Sequence, residues 1–210
     1  MNCLFGGTFD PVHLGHVHGA LRVCDALDLS EIRLVLSAYP AHRDPTGASV
    51  DQRWQMLCLA CAADSRLVAD DCEVRRDRPS FTVDTLEGVR AETGDRRLLW
   101  VIGSDAFADL PVWYRWQDVL KLCSLVVLAR PGHDADYPGI LKQLVQQHRV
   151  SSLSATEQGE IFFLGEDMQP ASASEIRREL SLGHDMAHLL NPQVAAYISR
   201  HGLYGVARGG

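Results

Sequence analysis

No stretch of this 210-residue chain approaches the roughly 18 consecutive apolar residues that a bilayer-crossing helix needs, so a membrane protein is not expected. There is no basic leader with a small-residue cleavage site before the strand-like Cys3-Leu4-Phe5, which makes the cytoplasm the default compartment. A basic surplus is also lacking: 20 Lys+Arg stand against 27 Asp+Glu, a formal net charge of -7. That balance argues against a general nucleic-acid binder, and any anionic ligand must be met by a local basic site. Internal repeats and long low-complexity tracts are missing too. The six cysteines, Cys3, Cys24, Cys58, Cys61, Cys72 and Cys123, show no secreted-type framework. Cys58 and Cys61 have a redox or half-zinc spacing, but Leu57-Cys58-Leu59-Ala60-Cys61-Ala62 reads as an apolar helix face.

What is present is an ordinary globular composition, 46% hydrophobic and 22% charged, enough to bury a sizeable core. We expect a single domain over residues 1–205, with a C-terminal helical portion at about 171–204 and a disordered tail at 206–210. Strand and helix patterns alternate, the sign of βαβ units in an α/β fold with a mainly parallel, doubly wound sheet and helices on both faces. Strands are expected at 2–5, 31–37, 67–75, 98–102, 124–129 and 161–164. Gly6-Gly7 reads as a tight turn, followed by a helix whose inner face is Leu14, Val17, Leu21, Cys24 and Leu27. The loop 38–49 is long enough to be functional. Ser49 with Gln52 forms a capping box for a helix that turns Trp54, Leu57, Cys58 and Cys61 inward. Ser172-Ala173-Ser174-Glu175 forms a second box, with Ile176, Leu180 and Leu182 inward; Asn191, Pro192 and Gly202 delimit the last helix. Residues 133–160 are the least legible.

The chemistry is concentrated at Gly6-Gly7-Thr8-Phe9-Asp10-Pro11-Val12-His13-Leu14-Gly15-His16. Glycines after a parallel strand let a ligand approach the backbone, and the next helix presents unpaired N–H groups at its positive end. His13 and His16, three apart, can face one anion. They could instead bind metal, but supply only two ligands with no visible third. One exposed and one half-buried histidine is an equally good reading of the pair alone; the glycines tilt it toward phosphate.

This segment resembles the opening of the [His/Thr]-x-Gly-His nucleotidyltransferases, most specifically the bacterial nicotinate-mononucleotide adenylyltransferases. Further segments are similar in the same order. Pro40-Ala41-His42-Arg43 resembles the family's Pro-Pro-His-[Lys/Arg] loop, with Ala41 departing from it. Ser80-Phe81-Thr82-Val83-Asp84-Thr85-Leu86 matches Ser-[Tyr/Phe]-Thr-x-x-Thr-Leu, and Ile102-Gly103-Ser104-Asp105 matches Ile-Gly-x-Asp. Trp113-Tyr114 is similar to a Trp-Tyr pair, and Ala171-Ser172-Ala173-Ser174-Glu175-Ile176-Arg177 to Ile-Ser-[Ser/Ala]-Thr-x-Ile-Arg. Singly, each segment has an ordinary structural reading, such as a capped surface helix with solvated Arg177 and Arg178. The specificity lies in the ordered set.

The resemblance implies a Rossmann-like fold and transfer of AMP from ATP to nicotinate mononucleotide, giving deamido-NAD and pyrophosphate in NAD biosynthesis. It implies catalytic roles for His13, His16, His42, Arg43 and Arg177. ATP would meet Gly6, Gly7, Thr8, Phe9, His16, Gly103, Asp105, Ser172, Ser174 and Arg177. The nicotinate nucleotide would meet Thr85, Trp113, Tyr114 and His42, with backbone N–H groups near Trp113 and Tyr114 receiving the ring carboxylate. Mg²⁺ would be carried mainly by ATP phosphates, with no dedicated protein site. Neither nucleic acid nor membrane is an expected partner, and a homo-oligomer stays open. Three alternatives remain: the same chemistry on nicotinamide mononucleotide or phosphopantetheine, a nucleotide-binding redox module switched at Cys58/Cys61, and a structural-zinc protein.

Overall fold

The computed structural model describes residues 2–40, 46–76, 78–95, 97–129, 137, 139–154, 158–165 and 171–207. In chain order the elements are β1 (Asn2–Gly7), α1 (Leu14–Leu27), β2 (Ile32–Leu36), α2 (Val50–Cys61) and β3 (Leu67–Asp70). There follow α3 (Thr82–Thr93), β4 (Leu98–Gly103), α4 (Ser104–Ala108), α5 (Trp116–Leu122) and β5 (Cys123–Ala129). The last are α6 (Ile140–His148), β6 (Arg149–Val150), β7 (Ile161–Gly165), α7 (Ala173–Ser181) and α8 (Pro192–His201). The chain divides into two compact units, Met1–Gly6 with Pro79–Met168 and Gly7–Arg78 with Gln169–Gly210.

The first unit carries strands in the order β1-β4-β5-β7-β6, with every pair parallel. Leu4 pairs with Trp100, Val101 with Val126, and Leu125 with Ile161. Leu4, Val101, Leu125, Val126, Val127 and Ile161 are fully buried. Such unbroken apolar strands belong to a parallel sheet covered by helices rather than to a half-solvated one. Gly94 ends α3 in the left-handed region at φ 66°, a conformation that a Cβ would strain. The residues expected to be least legible contain α6 and the two-residue β6.

In the second unit β2 and β3 run parallel, Ile32 beside Leu67 and Val35 beside Asp70. The Ser37 N–H bonds the Gly7 carbonyl at 2.8 Å. Here α2 packs on α8, and Val194 and Ile198 of α8 are buried. The α8 ends are as expected: the Asn191 side chain accepts from the Gln193 N–H at 2.8 Å, Pro192 opens the first turn, and Gly202 closes the helix at φ 61°. Both units build on parallel strands joined through helices, the Rossmann-like doubly wound α/β class.

Several expectations of detail are corrected. Gly6 and Gly7 finish β1 rather than forming a turn; the chain turns at Phe9, which takes φ 48°, and the cis Asp10-Pro11 peptide. The buried face of α1 is Gly15, Val17, Gly19, Ala20, Val23 and Cys24, while Leu14, Leu21 and Leu27 flank it half-buried. Small side chains let this helix pack closely, and the leucines fill its margins. In α2, Arg53 and Met56 are buried with Leu57, Ala60 and Cys61, whereas Trp54 and Cys58 lie at the boundary. The Ser49/Gln52 box forms. The box expected at Ser172 does not: among the described residues the Ser172 side chain makes no capping bond, and exposed Glu175 lies 3.7 Å from Arg178. Leu182, expected inward, is exposed. β3 stops at Asp70 and turns follow, because Asp70 accepts the Cys72 N–H at 2.9 Å and begins a local turn in place of a ladder.

Candidate active site

The second unit assembles most of the phosphate-directed residues. A Cβ on Gly7 would stand 2.7 Å from the Phe9 ring, so a side chain there would displace that ring. Phe9 is buried and places its edge on the His16 ring, with centroids 5.0 Å apart. His13 is the N-cap of α1 and His16 lies in its first turn. Their rings stack at 3.6 Å and 24°, so the two imidazoles act as one unit.

The His13 N–H donates to His16 Nδ1 at 3.2 Å. In the neutral ring Nδ1 is then the acceptor and the proton sits on Nε2, making His16 an Nε2–H donor. Burial, and next the neighbouring His13, hold the His16 pKa well below the ordinary histidine value. The hydrogen bond selects the tautomer, and burial favours the neutral form. At neutral pH His16 offers a directed hydrogen bond to an anion, with a full positive charge arising only if the ligand itself draws a proton.

The start of α7 reaches this point. A Cβ on Gly15 would lie 3.0 Å from His13 Nδ1 and 3.4 Å from the Ala171 methyl, so the two helix starts meet here and glycine leaves room for the His13 ring. Arg177, five residues beyond Ser172, donates from Nη1 to the Asp10 carbonyl at 2.6 Å, and its Nη2 lies 3.4 Å from Ser174 Oγ. Its side chain keeps 34% exposure, leaving part of the guanidinium for a ligand. Ser174 is exposed and Ser172 half-buried.

Two buried residues hold this arrangement, and neither was singled out from the sequence. Arg53, 1% exposed, donates to the carbonyls of Thr8, Ser37 and Ala38 at 3.0, 2.7 and 2.7 Å, and more weakly to Ala48 at 3.4 Å. It thus ties the loop after β1 to those after β2 and before α2. Burial lowers its pKa, and the Asp10 charge opposes that shift. Asp10, 3% exposed, accepts the Gly47 and Ala48 N–H groups at 2.7 and 3.1 Å and the Tyr204 hydroxyl at 2.7 Å. Arg53 had a signal, a charge in phase with the apolar stripe of α2. Tyr204 had none, because its partner lies 194 residues away.

The remaining candidates belong to the first unit. Gly6 is pinned against Trp100, whose indole a Cβ would overlap. Gly103 is the N-cap of α4, and Asp105 is exposed in its first turn. Thr85 is buried, its hydroxyl 3.3 Å from the Phe81 carbonyl. Trp113 is half-buried, and Tyr114 is half-exposed with its ring 4.7 Å from Phe81. The Trp113 N–H donates to the Leu110 carbonyl at 3.0 Å. His42 and Arg43 lie outside the described residues.

Asp10 does not suit a metal, since both its carboxylate oxygens are taken by protein donors. Among the described residues no group of three or more His, Cys, Asp or Glu is arranged to hold one. The cysteines are free; burial pushes the Cys61 thiol up to about 12 and raises Cys58, opposite to the shift that makes a thiol reactive. No described helix is long and apolar enough to cross a membrane.

Comparison with known proteins places the chain. The cytidylyltransferase-like family model matches residues 4–179. A Pseudomonas fluorescens protein named as a probable nicotinate-nucleotide adenylyltransferase is 45% identical over 204 residues, covering 96% of this chain and 95% of the relative. A protein of the same name from Aeromonas hydrophila is 40% identical over the same shares. Among solved structures, the Plasmodium falciparum nicotinic acid mononucleotide adenylyltransferase complexed with NaAD superposes with a TM-score of 0.75. It covers 99% of this chain and 98% of its own at 16% identity, a likeness of fold. The chain belongs to the cytidylyltransferase-like family and, within it, to the nicotinate-nucleotide adenylyltransferases.

Proposed function

We propose that the protein transfers the adenylyl group of ATP to nicotinate mononucleotide, forming deamido-NAD and pyrophosphate. The observation that carries this reading is the meeting of the α1 and α7 starts at Gly15 and Ala171, with the His16 donor on one and Arg177 on the other. An oxygen of the acceptor's own phosphate attacks the α-phosphorus. The bond from that phosphorus to the bridging oxygen breaks, and pyrophosphate leaves with the electron pair. The nucleophile is already ionised near neutral pH, so a strong general base would add little. Catalysis comes from in-line placement and from stabilising charge on the α-phosphoryl group and leaving group.

In this scheme the His16 Nε2–H donates to the α-phosphate through the transition state, and the stacked His13 ring fixes its orientation. Gly7, Thr8 and Phe9 let the nucleotide approach the backbone, with Gly6 serving the close packing of the strand beneath. Arg177, Ser172 and Ser174 hold the departing pyrophosphate at the α7 start, where N–H groups and the helix dipole favour anions. Gly103 and Asp105 orient ribose; Thr85, Trp113 and Tyr114 select the base, with backbone N–H groups near Trp113 and Tyr114 receiving the ring carboxylate. His42 and Arg43 support the phosphates. Mg²⁺ bound to ATP supplies charge neutralisation on the polyphosphate. Mixing the protein with Mg-ATP and nicotinate or nicotinamide mononucleotide, and following both products, tests the scheme. Deamido-NAD should form, with the acid acceptor preferred; absence of dinucleotide from folded protein overturns it.

A further inference from the structure

We propose that Tyr204 is a positioning residue for Arg177, acting through Asp10; the inference rests on the adenylyl-transfer reading of the same site. Tyr204 lies in the C-terminal turn Leu203–Gly205 with φ 57° and ψ 30°, a left-handed conformation that residues with a side chain rarely adopt. The next residue, Gly205, is left-handed as well, and a Cβ on it would lie 3.2 Å from the Ser181 Cα. The turn is thus seated on the end of α7, the helix that carries Arg177.

From that seat the Tyr204 hydroxyl donates to Asp10 Oδ1 at 2.7 Å. The Ala48 N–H donates to the same oxygen at 3.1 Å, and the Gly47 N–H to Oδ2 at 2.7 Å. Gly47 separates the tyrosine ring from the arginine stem: its Cβ would stand 3.0 Å from Tyr204 Cε1 and 3.1 Å from Arg177 Cδ. Arg177 Nη1 meets the Asp10 main-chain carbonyl at 2.6 Å but lies 3.7 Å from the carboxylate Oδ2. Three donors therefore hold the carboxylate beside Arg177 without letting it close a tight ion pair.

Two consequences follow for a phosphate ligand. The long arginine side chain is already ordered, so less rotamer freedom is lost on binding. Its charge is also not consumed by Asp10. Without the tyrosine hydroxyl, Oδ1 keeps only the longer Ala48 bond, and the carboxylate can swing onto the guanidinium and withdraw it from the ligand.

The test compares wild type with Tyr204→Phe, which keeps the ring against Gly47, and with Asp10→Asn, which reaches the same hydrogen bond from the other side should the first variant fold poorly. Binding of inorganic pyrophosphate, KM for Mg-ATP and KM for nicotinate mononucleotide are measured, together with the Arg177 Nε–H resonance of the ligand-free protein. In Tyr204→Phe pyrophosphate should bind about tenfold more weakly and the KM for Mg-ATP should rise alike. The KM for nicotinate mononucleotide should stay within about twofold. In an Arg177→Lys background the tyrosine change should add less than about twofold, because its effect passes through the arginine. The Arg177 resonance should broaden or shift in Tyr204→Phe. Unchanged pyrophosphate binding, equal weakening of both substrates, or a full additional loss in the lysine background overturns the proposal. So does an unchanged Arg177 resonance, which decides the matter even if the wild type makes no dinucleotide and the adenylyl-transfer reading itself fails.

Discussion

The helix starts that meet at Gly15 and Ala171 are built in opposite ways. At α1 the site is secured from within: His13 caps the helix, its N–H bonds His16, the two rings stack, and Phe9 closes against them. At α7 the cap side chain makes no capping bond among the described residues, and order is imposed from outside through Arg177, Asp10 and Tyr204. A transition-state donor needs a fixed direction, which short-range contacts supply best. A group that must grip and then release pyrophosphate is served by a long arginine with part of its surface open. On the proposed reading, directional chemistry falls to α1 and leaving-group binding to α7.

His16→Ala should break the α1 side with the largest effect. Loss of a preorganised donor is expected to lower kcat by about 100- to 1000-fold while Mg-ATP binding weakens much less; steady-state kinetics with direct nucleotide titration check this. An equal loss of binding would make the histidine a ground-state contact.

Arg53→Met tests the frame beneath both starts. It leaves the carbonyls of Thr8, Ser37 and Ala38 without their buried donor, so a loss of about 3 to 5 kcal/mol of stability is expected in urea unfolding. A loss under about 1 kcal/mol would show that these loops hold themselves.

Gly15→Ala should press a methyl on the His13 ring and disturb its stack on His16, while the Ala171 methyl stays at ordinary contact distance. About a tenfold fall in kcat/KM is expected, with far-UV circular dichroism unchanged. Full activity would show that the placement of the His13 ring does not matter.

The smallest effect expected is on pH dependence. The folded His16 pKa lies below its unfolded value, so the unfolded chain binds more protons in the interval between them. Stability supplied by neutral His16 is present above about pH 6.5 and is lost as pH falls toward the lowered folded value. Wild type should lose stability over that acid interval, and His16→Gln should flatten the slope. A rate that falls as pH rises through 6.5 would instead require a cationic His16.

Much of this arrangement was legible in the sequence because its signals are local. The glycine-histidine segment, the Asn191/Pro192/Gly202 ends of α8 and the Ser49/Gln52 box depend on residues a few positions apart. Errors arose where distant contacts override local preference. The leucines of α1 lost the inner face to smaller residues that pack closer, and Ser172 with Glu175 matched a capping pattern without forming the box. The two-residue β6 is too short to show any period. Arg53 was visible only as a charge within an apolar stripe, and the Tyr204–Asp10 bond depends on tertiary packing that no short window contains.

Adenylyl transfer at these two helix starts is read out by following [α-³²P]ATP with nicotinate mononucleotide and Mg²⁺ in wild type, His16→Ala and Arg177→Ala. Wild type should give labelled deamido-NAD and an equal amount of pyrophosphate, with His16→Ala losing mainly kcat and Arg177→Ala mainly affinity for ATP and pyrophosphate. Label released as free AMP without dinucleotide, or full wild-type rates in both variants, would contradict it.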